Sequence, residues 1–203
     1  MSEVFSTMSN FWGDLGVMIF LSVYYVIPAY VANGFAVVTG GGRPIDFGRK
    51  FSDKRRILGD GKTIRGFTGG LIIGFFAGLL QLLIANPFNE FMQSLIIHYQ
   101  LGIDAIVVER IIRFSILRAF IVSLGGLIGD LLGSFIKRRM GLERGKSAPL
   151  LDQLDFVAMA LLFGYIVTPL PWAYVIIILV LTPLIHLTSN IIAYKAGLKS
   201  VPW

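Results

Sequence analysis

The segment Ile111–Phe135 reads IIRFSILRAFIVSLGGLIGDLLGSF, and its 25 residues are enough to cross a lipid bilayer as a helix. Within it, Gly125, Gly129 and Gly133 lie four residues apart and therefore share one helix face. Glycines on one face let helix backbones approach closely, which drives helix association in lipid. The segment therefore predicts a membrane-spanning helix that makes tight contacts with its neighbours.

Similar apolar segments recur through the 203-residue chain, which is 55% hydrophobic and 15% charged. A soluble chain has about 25% charged residues, so an ordinary soluble domain is disfavoured. The absence of cysteine excludes disulfides and thiolate metal sites. We predict an all-α polytopic membrane protein, a single membrane-embedded domain over residues 1–203, with five transmembrane helices at Leu15–Val38, Phe67–Ala85, Ile111–Phe135, Leu154–Leu170 and Trp172–Ile192.

Prolines and polar interruptions divide these helices. Pro28 predicts a kink in the first helix, because proline lacks the donor that a helix needs. The sequence TPLPW at Thr168–Trp172 separates the last two helices. Leu95–Val108 is apolar but short, and we interpret it as an interfacial piece or a loop. No basic segment precedes the first apolar run, which argues against a cleaved signal peptide.

The basic residues predict which loops face the cytoplasm. Eight lie in Thr39–Arg65 and five in Ile136–Gln153, whereas Met1–Phe11 has none and Asn86–Arg110 has one. Cytoplasmic loops of membrane proteins carry the excess of Lys and Arg. We therefore predict a multi-pass protein of the cell membrane with its N-terminus outside, its C-terminus inside and two long basic cytoplasmic loops.

A polar constellation begins at Asp130, an ionisable residue inside the third span, where such residues suggest function. Asp130, Ser134 and Lys137 are spaced i, i+4, i+7 and share a helix face. Beyond the second basic loop, Asp152 and Asp155 are three residues apart, so both carboxylates can face one way. Structural alternatives exist, because Asp130 can simply pair with a cation and acids favour a helix N-terminus.

Three carboxylates among basic residues at one membrane face predict a metal–phosphate site. Carboxylates bind Mg²⁺, a hard cation often shared with substrate phosphates, and Lys and Arg bind the phosphate oxygens. We assign the three aspartates to the metal. We assign the same aspartates, together with Lys137, to catalysis. Lys62 lies in a tight glycine-flanked turn beside the second span, and Gly145 permits close backbone approach to a ligand. The candidate phosphate contacts are Lys62, Ser134, Arg138, Arg139, Gly145 and Lys146.

Two of these motifs resemble a known superfamily. Ser134–Arg138 reads SFIKR and Asp152–Asp155 reads DQLD, similar to S-x-x-K-R and D-R-x-D of the phosphatidate cytidylyltransferases, with Gln153 replacing the arginine. The archaeal CDP-archaeol synthases are a closer match, because the N-terminal half also resembles them. Its three matching blocks are PAYVAN at 28–33, GRPID at 42–46 and RILGDGKT at 56–63.

The resemblance implies a CTP-dependent cytidylyltransferase, a transferase of phospholipid biosynthesis. Its substrates would be CTP and an unsaturated archaeal ether-lipid phosphate in the bilayer, and its products CDP-archaeol and pyrophosphate. No nucleic acid partner is implied, and self-association into a homo-oligomer stays open. Asn33 would contact the nucleotide or the lipid headgroup, with an amide bonded to a neighbouring helix as the alternative. A lipid phosphate is largely dianionic near neutral pH, so it needs charge neutralisation rather than a general base.

Two other functions compete with this reading. A small transporter would distribute polar groups through the membrane depth, whereas here the acids and cations gather at one face. A CTP-dependent polyprenol kinase would need a base that removes a proton from an alcohol, and the motif contains none.

Two residues inside the spans lie outside the motif. The partner of Arg118 is left as a carbonyl, a carboxylate or water, and His186 is interpreted as a packing residue.

Overall fold

The structure, a computed structural model, describes residues 2–113 and 115–198. In these ranges the chain is all-helical, as predicted, with two isolated β-bridges and no longer strand. Loop 1, residues 39–63, joins the first two helices, and loop 2, residues 140–150, joins the fourth and fifth. The helices are α1 (Ser2–Val38), α2 (Ile64–His98), α3 (Ala105–Ile112), α4 (Ile116–Arg139), α5 (Leu151–Val167) and α6 (Trp172–Lys195).

Four of the described helices are long and apolar enough to cross a membrane. They are Asn10–Val38 of α1, and the whole of α2, α4 and α6. The fourth predicted span, Leu154–Leu170, corresponds to α5, which has 17 residues and stands at the lower limit of roughly 17–25 residues for a span. The length and composition of these helices therefore indicate a multi-pass membrane protein.

The third predicted span is wrong at its start. The helix that contains Ile111 is α3, and it ends at Ile112, whereas α4 begins only at Ile116. The hydroxyl of Ser115 caps α4 by accepting a hydrogen bond of 3.1 Å from a backbone N–H of the first turn. The apolar pattern continues across this cap and so conceals the break; Phe114 lies outside the described residues.

The second span is longer than predicted. Helix α2 continues through Pro87 to His98, because a membrane helix tolerates a proline whose freed carbonyl finds another partner. The interfacial segment predicted at Leu95–Val108 therefore consists of the end of α2, a turn and most of α3, which starts at Ala105. The predicted break at Thr168–Trp172 is confirmed between α5 and α6.

Helix α4 packs closely on α5 through the glycines that marked it in the sequence. A Cβ added at Gly125 would lie 2.8 Å from the Met159 carbonyl oxygen and 3.0 Å from the Ala160 Cα. One added at Gly129 would collide with the backbone of Asp155. The tight helix contact predicted from the glycine spacing is therefore present, and it brings the start of α5 against the end of α4.

Arg118 fastens the end of the bundle opposite the two loops. Its side chain is fully buried and donates to the carbonyls of Arg110 at 3.0 Å and Ile111 at 2.5 Å. Its guanidinium carbon also lies 5.2 Å from the centre of the Tyr25 ring. Of the partners that the sequence left open for Arg118, the structure shows carbonyls. These hydrogen bonds join the end of α3 to α4.

Candidate active site

A cavity of about 380 Å³ lies at the loop end of the bundle, where α1, α4, α5 and α6 meet both loops. Ten of the eleven residues predicted for the site line it, and Arg139 does not. The fold thus brings together predicted residues from three helices, α1, α4 and α5, and from both loops. The ten are Asn33, Lys62, Asp130, Ser134, Lys137, Arg138, Gly145, Lys146, Asp152 and Asp155.

Lys62 of loop 1 forms an ion pair with Asp130 of α4. Its Nζ donates to both carboxylate oxygens, at 2.7 Å and 2.6 Å. The turn that delivers it contains Gly59 at φ +97°, a conformation that favours glycine, and the Lys62 N–H donates to the Gly59 carbonyl. The side chains of the pair are only 26% and 21% exposed, so water screens their attraction weakly.

A second ion pair joins Lys137 of α4 to Asp152 of α5. The Lys137 Nζ lies 2.5 Å from one carboxylate oxygen, and the other oxygen accepts the Ala148 N–H at 2.8 Å. The aspartate therefore ties the end of loop 2 to the first turn of α5. Two of the three predicted carboxylates thus have a lysine counter-ion within the protein.

Asp155 differs from the other two carboxylates. It forms no ion pair within residues 2–113 and 115–198, and one of its oxygens accepts the Phe156 N–H at 2.6 Å. Its side chain lies against Gly133 of α4, where an added Cβ would overlap the carboxylate. The α4 glycines therefore make room for this carboxylate beside Asp130 in the cavity wall.

Arg138 and Asn33 bring hydrogen-bonding groups that other described residues leave unused. The Arg138 Nε is buried and has no acceptor among the described residues. A buried unpaired donor costs about 1–3 kcal/mol, which an anionic ligand oxygen would recover. The Asn33 amide makes no hydrogen bond to any described residue, so the alternative of an amide bonded to a neighbouring helix is not found.

The donor set fits a metal that is shared with phosphate. Within the described ranges, no group of three His, Asp or Glu side chains could hold a metal ion on its own. The cavity wall nevertheless supplies hard carboxylate oxygens from Asp130, Asp152 and Asp155. Mg²⁺ commonly takes one or two carboxylates and completes its octahedron with substrate phosphates and water.

The α6 side of the cavity is neutral, and sequence reasoning missed it. His186 and Asn190 line this wall and lie 3.2 Å apart, side chain to side chain, with Ser189 between them in the chain. The His186 ring also contacts Phe156, so its predicted packing role is only part of its environment. Their i, i+4 spacing near the end of an apolar helix was the available signal.

Arg139 lies outside the cavity and holds loop 1 onto α4. Its guanidinium donates to Asp53 at 2.9 Å and to the Arg56 carbonyl at 2.5 Å. It also stacks near the rings of Phe51 and Phe135, at 4.9 Å and 5.0 Å from their centres. These contacts assign Arg139 to the link between loop and helix, and the phosphate contact predicted for it has no support in this geometry.

Asp46 organises the part of loop 1 that lines the cavity. Its side chain is 1% exposed and accepts hydrogen bonds from the Arg56 guanidinium and from the N–H groups of Gly48, Leu58 and Gly59. Burial alone would raise the pKa of Asp46, but these hydrogen bonds outweigh it and hold the pKa well below its usual range. The ionised carboxylate thus fixes Leu58 and Gly59 in the cavity wall.

A second cavity, of about 330 Å³, lies on the other side of the Lys62–Asp130 pair. Its wall includes the apolar side chains of Phe67, Leu127 and Leu131, together with loop 1 backbone. Both residues of the ion pair line both cavities. The pair therefore stands at the boundary between the two cavities.

Comparison with known proteins gives the family. Residues 15–203 match the model of the CarS-like family, described as CDP-archaeol synthase. The chain belongs to this family. The resemblance seen in the sequence motifs is therefore confirmed.

Curated relatives and a solved structure agree with the family. The CDP-archaeol synthase of Methanocaldococcus jannaschii is 47% identical over 92% of this chain and 98% of its own length. That of Pyrococcus horikoshii is 49% identical over 89% and 94%, respectively. A solved structure, described as an intramembrane enzyme for archaeal membrane lipids biosynthesis, superposes with a TM-score of 0.66 at 35% identity, covering 83% of this chain and 92% of that one.

Proposed function

We propose that this family member transfers the cytidylyl group of CTP to an unsaturated archaeal ether-lipid phosphate, giving CDP-archaeol and pyrophosphate. The observation that carries the proposal is the convergence of the predicted motif residues on one charged cavity at the end of an apolar helix bundle. The function of the curated relatives supports the same reaction.

The charge of the cavity suits a metal-bound nucleoside triphosphate. Its wall carries five Lys and Arg side chains and three aspartates, a formal balance of +2 with His186 neutral. A triphosphate that carries one Mg²⁺ has a net charge of about −2 near neutral pH. The cavity therefore compensates the complex better than it would the triphosphate alone.

The reaction needs alignment and charge neutralisation. An oxygen of the lipid phosphate attacks the α-phosphorus of CTP, the bond to the β-phosphate oxygen breaks, and pyrophosphate leaves with that electron pair. Lys62, Lys137 and Arg138 neutralise the triphosphate and the charge that grows on the leaving group. Ser134, Lys146, Asn33 and the backbone at Gly145, whose φ is +83°, bind and orient CTP.

We propose Mg²⁺ as the cofactor, which Asp130, Asp152 and Asp155 would ligate only together with the phosphates of the bound nucleotide. When bound there, Mg²⁺ would supply electrostatic stabilisation of the phosphate oxygens and fix their orientation. The protein residues contribute the hard oxygen ligands and a wall that α4 glycines shape around Asp155.

We further propose that the whole chain, residues 1–203, is one membrane-embedded domain with five spans. Helix α5 would be the fourth span along the chain, since its 17 residues have a length of about 25 Å and can span with the polar start of the helix at the interface. The distribution of Lys and Arg supports an outside N-terminus, cytoplasmic loops and an active site on the cytoplasmic side of the cell membrane. A homo-oligomer remains compatible with this arrangement.

A double-label assay tests the reaction. Purified protein is incubated with Mg²⁺, an ether-lipid phosphate and CTP labelled with ³²P at either the α or the γ position. Cytidylyl transfer places the α label in the lipid product and the γ label in pyrophosphate. A lipid labelled from the γ position would instead identify a kinase, and no labelled lipid from either would refute both. Ester phosphatidate in a parallel reaction tests the preference for ether lipids.

A further inference from the structure

Two of the three cavity carboxylates are already neutralised by lysines of the protein. Lys62 binds both oxygens of Asp130, and Lys137 binds one oxygen of Asp152. All four side chains are about three-quarters buried or more. A divalent cation that approaches these carboxylates therefore competes with an existing, weakly screened counter-ion for the same oxygens.

Displacing those lysines requires an acceptor for them. A lysine that leaves its aspartate remains in a cavity that also contains Arg138, Arg144 and Lys146. With a metal ion added and no anion, the cavity would gather like charges that repel one another. A triphosphate provides the missing anionic oxygens, and a lysine amine on its flexible four-carbon stem can turn to them.

We propose that Lys62 and Lys137 are exchangeable counter-ions, which bind the metal-ligating aspartates until CTP arrives and then move to its phosphates. The metal and the nucleotide then bind with mutual dependence, because each supplies what the other needs: the metal replaces the lysines on the carboxylates, and the phosphates receive the lysines. By linkage, the nucleotide raises metal affinity by the same factor as the metal raises nucleotide affinity. This inference rests on the proposed function, because it assumes that the cavity binds CTP.

Lys62 provides the sharper case. It contacts both oxygens of its aspartate, whereas Lys137 leaves the second oxygen of Asp152 to the Ala148 N–H. Replacing Lys62 by methionine keeps much of its bulk and removes its charge, so Asp130 loses its only side-chain cation in the described residues. The proposal therefore predicts that removing Lys62, a phosphate contact, tightens the binding of the metal when no nucleotide is present.

Mn²⁺ binding measured by electron paramagnetic resonance tests this prediction on purified full-length protein. The free Mn²⁺ signal is titrated with and without α,β-methylene CTP, which resists cleavage at the α-phosphorus. Wild-type protein should bind Mn²⁺ at least tenfold more tightly with the nucleotide than without it. Lys62→Met should bind Mn²⁺ alone at least tenfold more tightly than wild type, and should show a smaller gain from the nucleotide. Lys137→Met should shift in the same direction by a smaller factor.

Two controls make the outcome decisive. Lys54→Met alters an exposed lysine of loop 1 and should match wild type. Lys62→Met/Asp130→Asn should lose the gained affinity, which excludes Mn²⁺ bound elsewhere. Equal Mn²⁺ affinity of wild type, Lys62→Met and Lys137→Met without nucleotide would overturn the proposal, as would tight binding to wild type that the nucleotide does not change. Failure of the proposed function is scored separately, by the absence of labelled CDP-lipid in the double-label assay.

Discussion

Substitution of Gly133 tests the proposed site by moving a carboxylate while every charge is kept. A Cβ at this position would lie 2.9 Å from the Asp155 Cβ and would overlap the carboxylate itself. Relief of the overlap requires the carboxylate to shift by at least about 1 Å, since its carbon would lie 2.6 Å from the added Cβ and non-bonded carbon atoms rest about 3.5 Å apart. A misplacement of about 1 Å in a reacting constellation costs about a hundredfold in rate, which corresponds to about 2.7 kcal/mol in the barrier.

The assay compares kcat for CDP-lipid formation with Tm on the same preparations of wild type, Gly133→Ala and Gly16→Ala. An added Cβ at Gly16 of α1 meets nothing within 4 Å, so this matched variant should keep its turnover and stabilise the helix slightly. Gly133→Ala should fold and lose about a hundredfold in kcat. Wild-type turnover by well-folded Gly133→Ala protein would refute the placement of Asp155 at the reacting centre.

Asp155→Asn should insert and fold, yet lose at least about a hundredfold in turnover, or about 2.7 kcal/mol, because the amide keeps the volume and removes the charge; retained turnover, beside an unaffected Lys54→Ala control, would end the metal assignment. Arg139→Gln should lower Tm and raise KM for CTP more than it lowers kcat, since its side chain fastens loop 1 without lining the cavity; a fall in kcat alone would make it catalytic after all. The pKa of Asp46 is lowered, so the stability that its ionised form contributes is fully present above the ordinary carboxyl pKa of about 4 and is lost as pH falls from there through the folded-state value. Thermal melts taken from neutral pH to about pH 3 should therefore fall more steeply for wild type than for Asp46→Asn; parallel curves would contradict the role of its hydrogen bonds to Arg56.

The helical framework was predictable because lipid imposes strong rules on a sequence. A span must be apolar and about 20 residues long, and prolines and glycines mark its limits and contacts. The break before Ile116 escaped these rules, because a serine cap satisfies the helix start without interrupting the apolar pattern. The length of α2 escaped them too, since Pro87 is tolerated inside a membrane helix.

Most of the site was predictable because its charged and polar residues lie close together in the sequence, in short motifs. The spacing of Asp130, Ser134 and Lys137 on one helix places them together without any knowledge of the tertiary structure. Arg139 belongs to the same basic run, but a helix turns by about 100° per residue, so Arg139 lies about 200° around the helix from Lys137 and faces away from the cavity. His186 carries no charge pattern, and only tertiary packing brings it to the cavity.

The two ends of the bundle are held by different kinds of contact. Away from the loops, neutral groups and one buried cation bind carbonyls: Tyr25 to Thr168, Gln81 to Tyr24, and Arg118 to the last turn of α3. At the loop end, ion pairs between aspartates and Lys or Arg side chains join the loops and helices. Because ion pairs can be exchanged for contacts with a charged ligand whereas buried hydrogen bonds to carbonyls cannot, we expect a bound phosphate to loosen the contacts at the loop end and to leave the others unchanged.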